Sequence, residues 1–313
     1  GNMGQRIIGE YEGAERGPLL ICIGAMHGNE PAGVKALEMM FKMLEVEPIV
    51  NESFHYRGKI VGVIGNTKAY AQKKRFLEKD LNRQFREMNI EKIRQQDKAE
   101  LENEDLELRE LLEFIEDQIR TYKPEKLYIL DLHTTSSRGG IFCLTTNDDE
   151  SIDIAVNLQA PVVKGFLKGI RGTTLHYFKE ENTKVPTVAL TFESGQHDEP
   201  LSINRAIAAI TNCMRIIGSV RVEDVENRHN KLLIEYSKNL PKVSELLRRH
   251  DITPEDQFKM RPNFKNFQRL SAGEIIADDI NGPIVVEEDC LLLMPLYQTQ
   301  GEEGFFLIKE TTS

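Results

Sequence analysis

The feature that most constrains this 313-residue chain is a series of short apolar runs, each followed by polar residues or glycine. The runs cover residues 19–26, 59–65, 126–132, 141–145 and 187–192. Each is too short for a buried helix, and stretches with helical apolar spacing lie between them. Apolar strands that alternate with helices are typical of a sheet covered on both faces. The sequence therefore predicts an α/β fold, with a mixed, mostly parallel sheet flanked by helices.

The pattern of apolar residues changes near residue 220. A helix is expected over about residues 200–218, whereas residues 222–247 show no clear period. Short runs punctuated by glycine and proline then occupy residues 264–309, which is typical of antiparallel strands. We therefore predict an α/β domain over residues 1–220 and a smaller, mainly β domain over residues 221–313.

Residues 87–120 form an unusually acidic segment, with twelve acidic and five basic side chains. Its later part, residues 106–119, has apolar side chains at helical spacing. The expected structure is a helix that turns a solvated, charged face to water.

Charge and composition exclude several classes of protein. Asp and Glu (50) outnumber Lys and Arg (40), so neither nucleic acid nor an anionic membrane surface is an expected partner. No stretch approaches the ~20 apolar residues of a membrane-spanning helix. The four cysteines are scattered without a CxxC pair, so neither a disulfide framework nor a thiolate zinc site is indicated. The first residues lack the features of a secretory signal, and a cytoplasmic location is expected.

Reactive side chains follow the apolar runs. His27 and Glu30 come after the first run, His133 after the third and Glu193 after the last. In open α/β sheets, ligands bind outside the carboxyl ends of the strands. If these strands are parallel neighbours, the four side chains converge on one edge of the sheet.

His27, Glu30 and His133 together form the donor set of a catalytic zinc site. Two imidazoles and one carboxylate leave the fourth position of the metal open to water or substrate. The alternative is that these are hydrogen-bonded structural residues, since an isolated HxxE is common.

Asp131 and Glu193 each have two interpretations. Asp131 lies two residues before His133, on the same side of an extended strand, and could orient its imidazole. It could equally cap a turn or pair with an arginine. Glu193 could move protons beside a metal. The alternative is a capping or ion-paired glutamate.

Arg75, Asn82 and Arg83 are candidates for binding an anionic substrate. An arginine presents a planar fork that matches a carboxylate. A single arginine in a polar segment is usually on the surface, but two of them beside an asparagine form a plausible clamp.

Four motifs in this order resemble the succinylglutamate desuccinylase/aspartoacylase family, a branch of the zinc carboxypeptidase superfamily. They are GAMHGNEPAG (24–33), RFLEKDLNRQF (75–85), LDLHTT (130–135) and TFESGQ (191–196). They span the first two thirds of the chain, and residues 221–313 look like the small β domain of the family. The resemblance implies a zinc-carboxypeptidase-like fold in which residues 1–220 form the zinc-dependent catalytic domain.

The resemblance also implies roles for individual residues. His27, Glu30 and His133 would hold one zinc ion per chain. Glu193 would be the general base and proton shuttle, and Arg75 would stabilise the oxyanion. The substrate carboxylate would be bound by Asn82 and Arg83.

Two further assignments rest on weaker matches. Aspartoacylases carry another substrate-binding arginine about ten residues before the catalytic glutamate, where this chain offers only Lys184. Tyr297 lies near the position of a substrate-contacting tyrosine, although its neighbours match poorly. Both are retained as candidate substrate-binding residues.

The implied activity is hydrolysis of a small anionic N-acyl amino acid. One alternative keeps the fold and the metal but acts on a peptide or another acyl amide, as a carboxypeptidase or amidase. The other is a zinc-binding protein without catalytic activity. The acyl group, the amino acid and the formation of homo-oligomers are left open.

Overall fold

The protein is described here by a computed structural model that covers residues 3–311. The strands are β1 (Ile7–Glu12), β2 (Glu15–Gly24), β3 (Arg57–Ile64), β4 (Leu127–Thr135), β5 (Phe142–Leu144), β6 (Val162–Lys164), β7 (Thr187–Gln196), β8 (Val243–Asp251), β9 (Lys259–Met260), β10 (Arg269–Leu270), β11 (Ile275–Asp279), β12 (Gly282–Val285), β13 (Cys290–Leu293) and β14 (Glu303–Glu310). The helices are α1 (Met3–Arg6), α2 (Ala32–Val50), α3 (Thr67–Gln72), α4 (Glu87–Gln95), α5 (Asn103–Tyr122), α6 (Asp149–Val156), α7 (Thr174–Tyr177), α8 (Glu180–Thr183), α9 (Leu201–Ile216) and α10 (Asn230–Ser237). Short 3₁₀ turns occur at Leu81–Arg83, Lys98–Glu100 and Pro254–Asp256.

Eleven strands form one mixed sheet in the order β1-β3-β2-β4-β7-β5-β6-β8-β14-β13-β10. Its central strands β3, β2, β4 and β7 are parallel neighbours, while β5 runs antiparallel to β7. The carboxyl ends of β2, β4 and β7 therefore lie side by side. The predicted mixed α/β fold is confirmed, and so is the expected convergence of these strand ends.

Helices cover the sheet on both faces. On one face α2 packs beside α9, and Leu37, Phe41 and Ile210 enter a shared apolar cluster. On the other face α5 contributes Leu108 and Leu111 to a second cluster. Within residues 3–311, no helix combines the length and apolar character that a bilayer-spanning segment needs.

The C-terminal part of the chain continues the large sheet. Strand β8 pairs in parallel with β6, and β14, β13 and β10 add antiparallel strands beyond it. Strands β9, β11 and β12 form a separate three-stranded antiparallel sheet. The expected antiparallel strands are present, and the domain boundary near residue 220 stays a prediction.

The acidic segment differs from its expected structure. Helix α5 buries its apolar face as predicted, but Glu104, Glu107 and Glu110 are buried as well. The Nη2 atom of buried Arg6 lies 3.2 Å from Glu107 Oε1 and 3.6 Å from Glu110 Oε1. The expectation that the acidic residues lie on a solvated face is therefore wrong for these three, because buried partners compensate their charge.

Glu104 is buried against a loop that precedes the turn at residues 81–83. Its carboxylate accepts hydrogen bonds from the backbone N–H groups of Leu77, Glu78 and Lys79 at 2.8–3.0 Å. It also accepts one from Asn66 Nδ2 at 2.9 Å. A single buried side chain thus fixes the backbone of this loop.

Candidate active site

His27, Glu30 and His133 lie together at the carboxyl ends of β2 and β4, and all three are buried. One ligand atom from each falls within 4.8 Å of the other two. The Glu30 oxygens face the two imidazoles, with Oε2 2.7 Å from His27 Nδ1 and Oε1 3.0 Å from His133 Nδ1. The structure therefore brings together the three side chains that the sequence pattern identified.

The turn that carries His27 depends on Gly28. Its backbone N–H donates to the carbonyl oxygen of Arg75 at 3.2 Å, which joins this turn to the loop of Arg75. A Cβ atom at Gly28 would lie 2.2 Å from the carbonyl carbon of Ala69 and 2.3 Å from the oxygen of Lys74. Only glycine permits this close approach of two backbones.

The outer nitrogens of both imidazoles face carboxylates. His27 Nε2 lies 2.8 Å from Asp80 Oδ1, and His133 Nε2 lies 2.9 Å from Asp131 Oδ1. The contact with His133 agrees with the orienting interpretation of Asp131. Asp131 also accepts a hydrogen bond from Thr174 Oγ1 at 2.8 Å. Such carboxylates keep each Nδ1 directed at the ligand cluster.

The charges of the cluster suit a cation. Burial alone would raise the pKa of Glu30, but the adjacent His27 and His133 hold it well below its usual range. Burial would lower the pKa of His133, yet Asp131 and Glu30 raise it well above its usual value. The carboxylates of Glu30, Asp80 and Asp131 surround the two imidazoles, and their negative charge also favours a metal ion. The donor set of two nitrogens and one carboxylate fits zinc.

Glu193 lies beside this cluster on β7, directly opposite His133 in the β4–β7 register. Its side chain is buried, and Oε2 has no hydrogen-bond partner among the described residues. Burial raises its pKa to about 8, with Glu30 and Asp131 adding to the effect and His133 and Arg75 opposing it. A cation at the ligand cluster would lower this pKa, because positive charge favours the carboxylate. The group is placed to exchange a proton within the site.

Arg75 extends to the same cluster from the loop held by Glu104. Its Nη1 lies 3.6 Å from Glu30 Oε2, and its Nη2 lies 3.4 Å from Asp80 Oδ2. The guanidinium therefore lines the site next to the ligands.

Asn82 and Arg83 follow Asp80, which caps their turn by accepting from the Asn82 N–H at 2.8 Å. Both line the same cavity. The guanidinium of Arg83 pairs with Glu303, and its Nε lies 3.8 Å from Glu302. Two carboxylates from the C-terminal part of the chain thus face the candidate clamp.

The structure does not bring Lys184 and Tyr297 to the cavity. Lys184 donates to the Glu181 carbonyl oxygen and lines a different cleft against α5. The Tyr297 hydroxyl donates to the Arg261 carbonyl oxygen at 2.6 Å, so it is turned toward the surface of the C-terminal part. Neither is among the residues that line the space next to the ligands.

Several polar residues of the site escaped the sequence interpretation. His197 lies between Thr134 and Gln298, with Nδ1 2.7 Å from Thr134 Oγ1 and Nε2 3.1 Å from Gln298 Oε1. The position of His197 just after the TFESGQ motif could have drawn attention to it. Gln298 directly follows the candidate Tyr297, whereas Glu303 had no such signal because it is distant in sequence from the motifs.

A cavity of about 120 Å³ opens over the ligand cluster, far more than the roughly 10–15 Å³ that one water molecule needs. Its polar side contains the ligands, Glu193, Arg75 and Arg83. Leucine, isoleucine and phenylalanine side chains line much of the remainder. The site can therefore hold an organic molecule with one polar end and one apolar end.

Most of the chain matches a known sequence family. Residues 16–217 match the sequence family described as the succinylglutamate desuccinylase/aspartoacylase catalytic domain. The matched part is more than half of the chain and contains all four motifs.

Solved structures of similar proteins share the fold. A succinylglutamate desuccinylase/aspartoacylase from Rhodobacter sphaeroides is 15% identical, with a TM-score of 0.65 over 95% of this chain and 86% of the other. A succinylglutamate desuccinylase from Vibrio cholerae is 17% identical, with a TM-score of 0.63 over 94% and 82%. Murine aminoacylase 3 is 17% identical, with a TM-score of 0.59 over 94% and 96%.

Proposed function

The chain belongs to the succinylglutamate desuccinylase/aspartoacylase family, and we propose that it is a zinc-dependent hydrolase that cleaves the amide bond of an N-acyl amino acid. The observation that carries this proposal is the placement of Glu193 opposite His133, beside the His27–Glu30–His133 cluster and at the floor of a cavity. A purely structural metal site would be closed by a fourth ligand and would need no proton-accepting group beside it.

The proposed reaction adds water across the amide. Zinc held by His27, Glu30 and His133 would act as a Lewis acid and lower the pKa of the attacking water. Glu193 takes a proton from this water as the bond between oxygen and carbonyl carbon forms. It delivers the proton to the amide nitrogen as the carbon–nitrogen bond breaks, which releases a carboxylate and a free amino acid.

Two arginines have distinct proposed roles. Arg75, next to Glu30, stabilises the negative charge that develops on the carbonyl oxygen. Arg83 binds the carboxylate of the substrate together with Asn82, which requires this carboxylate to compete with Glu303 for the guanidinium. The proposed substrate is thus a small anionic N-acyl amino acid. The proposed location is the cytoplasm, and neither nucleic acid nor a membrane is a proposed partner.

The test combines a substrate screen with metal analysis. Protein loaded with zinc is assayed on N-acetyl and N-succinyl amino acids and, in parallel, on peptides with free C-termini. We expect release of amino acid from the N-acyl compounds, loss of activity on chelation and recovery on adding zinc. Preferred cleavage of the peptides would favour the carboxypeptidase alternative.

Metal analysis of variants tests the ligands separately. His27→Ala and His133→Ala should each lose nearly all zinc, whereas the exposed-residue control Glu181→Gln should retain one ion per chain. Full zinc content in both histidine variants would refute the assignment.

A further inference from the structure

The cavity next to the ligand cluster has an apolar wall. We define this apolar wall by the six residues Leu144, Phe166, Leu167, Ile170, Leu175 and Phe306, all of which line the cavity. The rings of Phe166 and Phe306 lie 4.9 Å apart, and both belong to the core cluster under the sheet. The wall is therefore a fixed part of the core.

The apolar wall begins beside the reacting groups and ends beside Arg83. Leu144 pairs with Thr191 on β7, two residues before Glu193. At the other end, the segment that carries Phe166 and Leu175 contacts the turn of Asn82 and Arg83: the Phe85 N–H donates to the Gly172 carbonyl oxygen at 2.9 Å. A substrate held at Arg83 by its carboxylate would therefore place its amino-acid half against this wall.

The charge balance of the cavity disfavours a second carboxylate on the substrate. Four carboxylates line the cavity (Glu30, Glu193, Glu302 and Glu303), against the two guanidinium groups of Arg75 and Arg83. Arg75 already faces Glu30 and Asp80, and Arg83 already faces Glu302 and Glu303. Among the cavity-lining residues, no lysine or further arginine is left for another anionic group.

From these observations we infer that the preferred substrate is an N-acyl derivative of a neutral amino acid whose apolar side chain packs against the apolar wall. This inference rests on the proposed function and specifies its substrate class. An acidic side chain would lose its hydration against the wall without gaining a cationic partner. A cationic side chain that packs against the wall would lose its hydration in the same way.

The test is a substrate series in which the acyl group is constant and the side chains have similar length. The zinc-loaded protein is assayed on N-acetyl-methionine, N-acetyl-glutamine, N-acetyl-glutamate and Nα-acetyl-lysine. The glutamine derivative is neutral but polar. Comparing it with the glutamate derivative measures the effect of charge, and comparing it with the methionine derivative measures the effect of apolar contact. We expect kcat/KM to be highest for methionine, intermediate for glutamine, and lower for glutamate by on the order of 10²-fold. A preference for glutamate or for lysine would overturn the inference.

A pair of variants at Met294, beside the apolar wall, tests where the substrate side chain binds. Met294 lines the cavity, is only partly buried and packs against the cluster that contains Phe166 and Phe306. Met294→Lys places a cation there with little change in side-chain length, and Met294→Leu is the neutral control. Met294→Lys should reduce the methionine-to-glutamate ratio of kcat/KM by about tenfold, while Met294→Leu leaves it nearly unchanged. An equal ratio in both folded variants would contradict the inference.

Binding measurements separate this inference from the proposed function. Calorimetry of the zinc-loaded protein with free methionine, glutamine and glutamate reports side-chain preference without any hydrolysis. If no N-acyl compound is cleaved but methionine binds most tightly, the proposed function fails and the inference about the cavity stands. If the compounds are cleaved but glutamate binds most tightly, the proposed function stands and the inference fails.

Discussion

Glu193 unites three properties at the residue scale: it is buried, it has a carboxylate oxygen without a hydrogen-bond partner among the described residues, and it lies opposite a candidate metal ligand. Glu193→Gln keeps the size of the side chain and removes the proton acceptor. We expect the variant to retain zinc and to lower kcat by about 10²–10⁴-fold, measured by steady-state kinetics together with metal analysis. The control is Glu181→Gln, which changes an exposed glutamate away from the cavity. A kcat within a few-fold of wild type would remove Glu193 from the mechanism.

The two arginines should give opposite kinetic signatures. Arg83→Ala removes a charge-assisted hydrogen bond of about 1.5–3 kcal/mol to the bound substrate, so KM should rise at least several-fold. Arg75→Ala should lower kcat instead, because the oxyanion charge exists only in the transition state.

Two further variants control this comparison. Arg75→Lys retains the positive charge and should recover part of kcat. Arg83→Ala also removes the guanidinium that pairs with Glu303. The double variant Arg83→Ala/Glu303→Gln therefore separates the loss of substrate binding by Arg83 from the effect of an unpaired carboxylate at Glu303. If Arg83→Ala changed only kcat and Arg75→Ala only KM, the two proposed roles would be reversed.

At this scale, local sequence pointed to the candidate ligands because each lies in or shortly after an apolar strand. It could not identify Glu302 and Glu303 as the partners of Arg83, since more than two hundred residues separate them along the chain. Lys184 illustrates the opposite case. Its distance from Glu193 along the sequence was suggestive, but a left-handed backbone at Lys184 ends α8 there and its amine bonds to Glu181.

At the scale of elements, helix α5 supports the loop that carries Arg75 and Asp80. Glu104 near the start of α5 receives three backbone N–H groups of that loop, and Arg75 and Asp80 flank the bonded segment. This helix of the acidic segment is therefore connected to the cavity next to the ligand cluster. Sequence periodicity predicted the helix and its apolar face, but not this link, because a buried carboxylate has the same letter as a solvated one.

The bonds of Glu104 predict a pH-dependent contribution to stability. Burial tends to raise the pKa of Glu104, but the hydrogen bonds from Leu77, Asn66, Lys79 and Glu78 lower it overall. A pKa lowered in the folded state stabilises the protein above the ordinary glutamate value of about 4.3, and this contribution is lost as the pH falls. Glu104→Gln should therefore cost about 1.5–3 kcal/mol at pH 7 and clearly less at about pH 3, as the pH falls through the lowered pKa of the folded state.

Urea unfolding of metal-free protein at both pH values measures this difference without a contribution from zinc release. Exposed Glu102, two residues earlier, provides the control: Glu102→Gln should change the free energy of unfolding by less than about 0.5 kcal/mol. An equal cost of Glu104→Gln at pH 7 and at about pH 3 would show that its ionisation does not contribute.

At the scale of the whole molecule, the division near residue 220 does not coincide with a division of the core. The apolar cluster that contains Leu111 and Ile129 also contains Leu293, Phe306 and Ile308 from the C-terminal part. The sequence indicated where alternating strands and helices give way to short antiparallel strands. It could not reveal that β8 joins the sheet beside β6, because strand pairing depends on contacts distant in sequence.

A shared core predicts that the two parts unfold together. Ile308 lies on β14, is fully buried and belongs to the cluster that also packs against β4. Ile308→Ala should lower the free energy of unfolding by about 2–5 kcal/mol, and Ile308→Val by about 0.5–1.5 kcal/mol. Because unfolding is expected to be cooperative, amide hydrogen exchange should accelerate by the same factor for the slowest amides of β4 and of β14. Faster exchange in β14 alone, with β4 unchanged, would instead show that residues 221–313 unfold as an independent domain.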